Sequence, residues 1–238
     1  MKYRYIQIFS FLVALLSFSI FSACEVDDKI NFVPESYTSS NGTENGHEYV
    51  NLGLSVKWAT CNVGASSPEE YGDYFAWGEI EPKEVYDWST YKYGSYDSLT
   101  KYNTDSSYGT VDNKTTLDLS DDAARANWGG NWRMPTDTEI LELIDNCTWT
   151  WTTQNGVYGC KVISYKNGKS IFLPAAGWRD YSSLNDAGSF GEYWSSSLCT
   201  ANTYEAYVLV SYYSGGVVGI YRGDSGRSFG KSVRPVCP

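Results

Sequence analysis

The sequence predicts an α+β domain of many short antiparallel strands with two short helices. Three observations carry that expectation. Short runs rich in Val, Ile, Thr, Tyr and Trp recur between clusters of Gly, Asn, Asp and Ser, the texture of half-buried strands joined by turns. Only two segments carry helix signals, at 120–126 and 136–144. With 9 Trp, 21 Tyr and 9 Phe, the chain has apolar bulk for a core of its own, and its length suits one domain.

The first residues read as a leader. Lys2 and Arg4 precede an apolar run over 6–21, and Ser22-Ala23 places small residues directly before Cys24, as export processing requires. The run falls short of the ~20 residues of a spanning helix. Residues 1–23 resemble a lipoprotein signal peptide ending in a bacterial lipoprotein box, which makes Cys24 the lipidated first residue of the mature chain. Glu25, Asp27 and Asp28 resemble the tag that sends lipoproteins of Bacteroidetes-type bacteria to the outer face of the outer membrane. A periplasm-facing anchor is the alternative. Residues 24–46 are polar and rich in Ser and Gly, and read as a lipidated Cys followed by a flexible tether. The domain is expected over 47–238.

Within it, 49–54 and 56–60 read as strand pieces. Asn155-Gly156 and Asn167-Gly168 favour two-residue hairpin turns, which predicts strands over 148–153, 157–165 and 170–173. In the first hairpin Cys160 faces Trp151 rather than Cys147. The 136–144 helix follows Pro135 and opens with the Thr136…Glu139 capping box, with Ile140, Leu143 and Ile144 on one face. Residues 83–116, dominated by Tyr, Ser, Asp, Asn and Lys, read as a long loop insertion. Inside it, Asp97-Ser98-Leu99 resembles the O-glycosylation signal of Bacteroidetes-type secreted proteins, so Ser98 is a candidate acceptor and a plain turn is the alternative.

Charge and residue inventory exclude several chemistries. Removing 1–23 takes away Lys2 and Arg4 and no acid, so 16 cations face 28 acids and the mature net charge is −12. A phosphate-binding surface needs the opposite sign, so nucleic acid is not expected as a partner, and membrane contact falls to the lipid on Cys24. His47 is the chain's 1 histidine, which removes Ser-His-Asp and Cys-His catalysis and multi-histidine metal sites. Glu79 with Glu81 offers a pair of acids without any further glycosidase feature. Asn185-Asp186 and the Asp118, Asp121, Asp122 cluster lack the spacing of a calcium loop. The domain's cysteines, Cys61, Cys147, Cys160, Cys199 and Cys237, include no C-x-x-C pair, and their odd number leaves at least one free thiol. No cofactor, metal or catalytic residue is expected.

Six blocks then occur in order: YVNLGL with WATCNVGA (49–65), YFAWGE (74–79), WRMPT (132–136), FLPAAGWR (172–179), YWSSS (193–197) and SVRPV (232–236). Together they resemble the Fibrobacter succinogenes major paralogous domain, whose fold is similar to C-type lectins, to retroelement variable proteins and to formylglycine-generating enzymes. The resemblance implies a C-type-lectin-like domain whose terminal strands lie together and whose C-terminal half displays a ligand-binding face. Two departures limit what it implies. Cys237 lacks the nearby second cysteine of the oxidases' copper site, and Glu81-Pro82-Lys83 puts Lys where a calcium-dependent lectin has an amide.

The C-terminal stretch carries the recognition expectation. Alternation over 205–213 places Ala206, Val208, Val210 and Tyr212 on a core face and Tyr207, Leu209, Ser211 and Tyr213 on the other. Beyond Ser214-Gly215-Gly216 come Tyr221, Arg222, Asp224 and Arg227, rigid aromatics and fork-shaped cations among small polar residues. The expected ligand-binding set is Tyr207, Ser211, Tyr213, Tyr221, Arg222, Asp224 and Arg227, held between Trp194 and the core residues Val233 and Val236. Tyr and Gly serve strands and turns equally well, so plain scaffold is the alternative for this stretch. The function expected is a surface-anchored, non-enzymatic lipoprotein that binds a glycan or a protein. The alternatives are a structural or adhesive subunit of a surface assembly and, less supported, an oxidase or hydrolase related to the fold.

Overall fold

The computed structural model describes residues 42–238, and the segments expected as a leader, as the lipidated Cys24 and as most of a tether lie outside the described residues. The described chain is mostly β, with several small antiparallel sheets and two short helices, an α+β arrangement. The first sheet has the order β1-β2-β3-β12, from β1 (Gly42–Glu44), β2 (His47–Val50), β3 (Lys57–Ala59) and β12 (Val236–Cys237). The first and last strands of the described chain therefore share one sheet, with Val236 opposite Trp58.

This sheet begins earlier than the sequence suggests. Residues 42–46 were expected in the tether, yet Gly42–Glu44 pairs with His47–Val50 across Asn45-Gly46. Asn45 and Gly46 both take positive φ, 44° and 84°, the geometry that Asn-Gly supplies in a tight hairpin. Glu44 then accepts from the Asn131 backbone N–H and the Trp132 indole, so residues 42–46 are part of the folded domain.

A second sheet, β4-β5-β6, is formed by β4 (Cys147–Gln154), β5 (Val157–Ser164) and β6 (Ser170–Pro174). Asn155-Gly156 makes the expected two-residue turn, and Trp151 sits opposite Cys160. Asn167-Gly168 does not. Five residues separate β5 from β6 there, because the Asn167 side chain accepts from the Lys169 N–H and donates to the Asn51 carbonyl, holding the loop open against the residue that follows β2. The hairpin β7 (Trp178–Asp180) and β8 (Ser183–Asn185) follows. The last sheet runs β11-β10-β9, from β9 (Phe190–Leu198), β10 (Glu205–Ser214) and β11 (Val217–Gly226).

Helix α1 (Ala123–Trp128) starts later than 120, because Asp122 caps it by accepting the Arg125 N–H and a 3-10 turn (Leu119–Asp121) fills the residues before. Helix α2 (Asp137–Asp145) has the full Thr136–Glu139 capping box and buries Ile140 and Leu143. The β9–β10 ladder separates two clusters of buried residues. Trp77, Trp132, Trp194, Val208 and Val210 lie in one, while Trp58, Leu143, Val162, Tyr193 and Leu209 lie in the other. Val233 and Val236 are buried with them.

The segment expected as a loop insertion has little regular structure, but it is packed. Tyr86, Tyr91, Tyr93, Leu99 and Tyr102 are all buried. Its polar composition hid this, because Tyr carries both a core-forming ring and a hydroxyl. Those hydroxyls find backbone partners: Tyr86 donates to the Tyr74 carbonyl and Tyr91 to the Trp77 carbonyl, at 2.5 and 2.7 Å.

Candidate functional site

The β10–β11 ribbon fixes which residues share a face. Register pairs Tyr207 with Asp224, Leu209 with Arg222, Val210 with Tyr221 and Tyr213 with Val218. Tyr207, Leu209, Ser211 and Tyr213 thus share a face with Asp224, Arg222 and Val218, and Tyr221 stands on the opposite one. The seven residues expected to bind ligand are not brought together.

Two of them are interior. Arg227 has an exposure of 0 %, and Ser211 of 1 %. The Arg227 guanidinium lies over the rings of Trp77 and Tyr91 and donates to the Tyr91 hydroxyl and to the carbonyls of Lys101, Tyr102 and Thr203. It is the peg that ties the 83–116 segment to the last sheet. Ser211 is covered because β10 is buried on both faces, so its alternation does not separate core from solvent as expected. Of the others, Arg222 pairs with Asp137 at the start of α2 at 3.0 Å and covers the Tyr207 ring at 4.4 Å. Tyr221 is exposed on the far face, edge-on to Tyr212.

Of the seven, Tyr213 enters a surface groove. This groove has a volume of about 490 Å³ and is walled by Trp151, Thr152, Thr153 and Tyr158 of the second sheet, by Gly188 and Ser189, and by Tyr213. Its three rings are nearly parallel: Trp151 to Tyr213 is 5.7 Å at 14°, and Trp151 to Tyr158 is 6.5 Å at 16°. Tyr158 and Tyr213 are 52 % and 45 % exposed. No charged side chain is among its walls.

The groove's walls are braced. Asn155 and Gln154 donate through their side-chain amides to Glu69, at 2.6 and 3.2 Å, which pins the hairpin tip. These bonds, with Asn155's foremost, hold the Glu69 carboxyl below its ordinary pKa. The Tyr213 N–H donates to the Ser189 carbonyl at 3.3 Å, joining the other wall. Sequence reasoning passed over Trp151 and Tyr158, although the signal was present. The Asn155-Gly156 register puts Tyr158 opposite Thr153, which makes Trp151 its diagonal neighbour on the same face.

Among the acids weighed as a glycosidase pair or a calcium cluster, Glu79, Asp121 and Asp122 have structural partners. Glu79 accepts from Lys83 and from the Lys92 N–H. Asp121 accepts from Lys92, Lys101 and Tyr102, and Asp122 caps α1 and accepts the Met134 N–H. Cys199, Glu205 and Asp224 bring ligand atoms within 4.8 Å of one another. Glu205 already accepts from Asn202, and burial raises its pKa, which opposes a charged ligand role. All five cysteines of the described residues are free thiols. Cys147 and Cys160 are buried, and burial raises both pKa values, to about 11 and about 12, so neither is a nucleophile at neutral pH. Ser98 is exposed in the Ser95–Ser98 turn, with its hydroxyl 2.7 Å from that of Ser95. Compared with family models, curated proteins and solved structures, the chain matches none.

Proposed function

We propose that this chain is a surface-anchored, non-enzymatic binding lipoprotein that recognises a neutral glycan through the Trp151–Tyr158–Tyr213 groove. The observation that carries the reading is the combination of three nearly parallel rings with walls free of charge. A pyranose presents an apolar C–H face that stacks on such rings, and its hydroxyls pair with those of Thr153 and Ser189. A charged ligand has no counter-charge here. In this reading the domain is C-type-lectin-like, Cys24 carries the lipid in the outer membrane, and the tether holds the groove away from the bilayer.

The reading moves recognition from the Arg222–Asp224 face, where the sequence placed it, to the groove end of β10. Arg222 is already engaged with Asp137 and Tyr207, so it has less to offer a ligand. The test is an array of neutral and acidic oligosaccharides probed with the purified protein. Neutral hits that exceed acidic ones support the proposal. Preference for acidic glycans, or hits on proteins alone, would contradict it.

A further inference from the structure

A second cavity, of about 350 Å³, lies among Trp88, Asp180, Tyr181, Phe229 and the Asp87-Ser89 turn. Its chemistry differs from that of the groove. Three aromatic rings stand with two carboxylates, and no Lys or Arg is among its walls. Cations next to its walls in sequence are engaged elsewhere, Arg227 among them, through the Tyr91 hydroxyl and three carbonyls. Arg179, beside Asp180, puts its guanidinium over the Tyr74 ring at 5.0 Å. Lys231 is buried and ion-paired with Glu192.

The walls come from three distant parts of the chain, yet two isolated bridges clamp them. Tyr86 and Tyr181 exchange both backbone hydrogen bonds at 2.9 Å, and Arg179 and Gly230 exchange theirs at 2.7 and 3.0 Å. A Cβ on Gly230 would meet the Tyr86 ring at 2.6 Å, so only glycine lets the segments close this far. Tyr181 sits at φ 50°, a left-handed conformation that a bulky residue rarely takes, and this leaves its ring 61 % exposed at the cavity rim. The site is thus built before any ligand arrives, which spares the cost of ordering it.

One of these rings, Phe229, already has a Lys amine beside it: Lys231 Nζ is 5.7 Å from its centre. Aromatic faces with carboxylates at the rim are what a weakly hydrated organic cation needs: the rings attract the charge and the acids neutralise it. A metal ion fits poorly, because the Asp87 Oδ1 is engaged by Ser89 and the Thr90 N–H.

From this, we infer that the Trp88–Tyr181–Phe229 cavity binds an organic cation, either a free quaternary ammonium compound or the cationic side chain of a peptide. It is a site separate from the groove and independent of the glycan proposal. The experiment titrates the purified protein by calorimetry with choline, with its neutral isostere 3,3-dimethylbutan-1-ol, and with a blocked Lys peptide beside its acetyl-lysine form. Saturable binding of choline or the Lys peptide, at least about tenfold weaker for the neutral counterpart, is expected, and the arm that saturates names the source. Asp180→Asn and Tyr181→Ala, two changes at the rim, are expected to weaken it about tenfold while thermal unfolding stays put, and Tyr158→Ala to leave it unchanged. Equal binding of the neutral isostere, binding indifferent to both rim variants, or no saturation by about 10 mM would overturn the inference.

Discussion

Arg222 and Arg227 belong to one C-terminal stretch of similar composition, yet one lies at the surface and the other has no exposed area. Arg222 reaches the Asp137 carboxylate at the start of α2 and the Tyr207 ring of β10. Arg227 fills a socket made by two rings and four oxygen acceptors, three of them carbonyls. The difference teaches that a Tyr-, Gly- and Arg-rich stretch is not one functional surface. At Arg227 it becomes an internal frame that holds the 83–116 segment, and at Tyr213 it meets the aromatic groove.

Substitution separates the two roles. Arg227→Ala strips donors from buried carbonyls, each worth about 1–3 kcal/mol when left unpaired, so it should cost at least about 3 kcal/mol in denaturant unfolding. Arg222→Ala, removing a half-exposed ion pair, should cost less than about 1 kcal/mol. Equal losses would erase the distinction. A smaller effect is expected inside the ribbon. A Cβ at Gly219 would fall 2.1 Å from the Tyr212 ring, which Phe190 stacks against at 5.3 Å, so Gly219→Ala should destabilise by about 1–3 kcal/mol. A neutral result there would mean that the ribbon bends freely and cannot present Tyr213 rigidly.

The smallest effect concerns pH. The folded-state pKa of Glu69 is depressed, so its contribution is present above the ordinary carboxylate range and is lost as pH falls through the folded value. Amide exchange at the 154–157 turn should therefore speed up on acidification beyond the intrinsic rate change, and Glu69→Gln should remove that extra response. An unchanged response in the variant would release Glu69 from its bracing role.

Local signals were legible because they depend on few residues. The Thr136–Glu139 box and the Asn155-Gly156 turn are fixed by chemistry within a few positions, and the structure has both. The Asn45-Gly46 turn carried the same signal, but the polar residues before it made it read as tether. Arg227 could not be placed from sequence, since its acceptors lie 24 to 136 positions away. Ser211 was misplaced because alternation separates two faces only where one of them meets water, and β10 has a core on each side. For the groove, the sequence named Tyr213 and missed Trp151 and Tyr158, which belong to a different sheet.

The most direct test of the account compares two double variants in calorimetric titrations with a neutral oligosaccharide from the array. Tyr158→Ala with Tyr213→Ala removes two of the groove's rings, and Arg222→Ala with Asp224→Ala removes the charged patch. Two lost stacking contacts at about 0.5–1.5 kcal/mol each predict a loss of about fivefold or more in affinity for the first variant, with its unfolding midpoint little changed. The second variant should bind as the parent does. The opposite pattern, with affinity lost in the charged-patch variant and kept in the groove variant, would contradict the account.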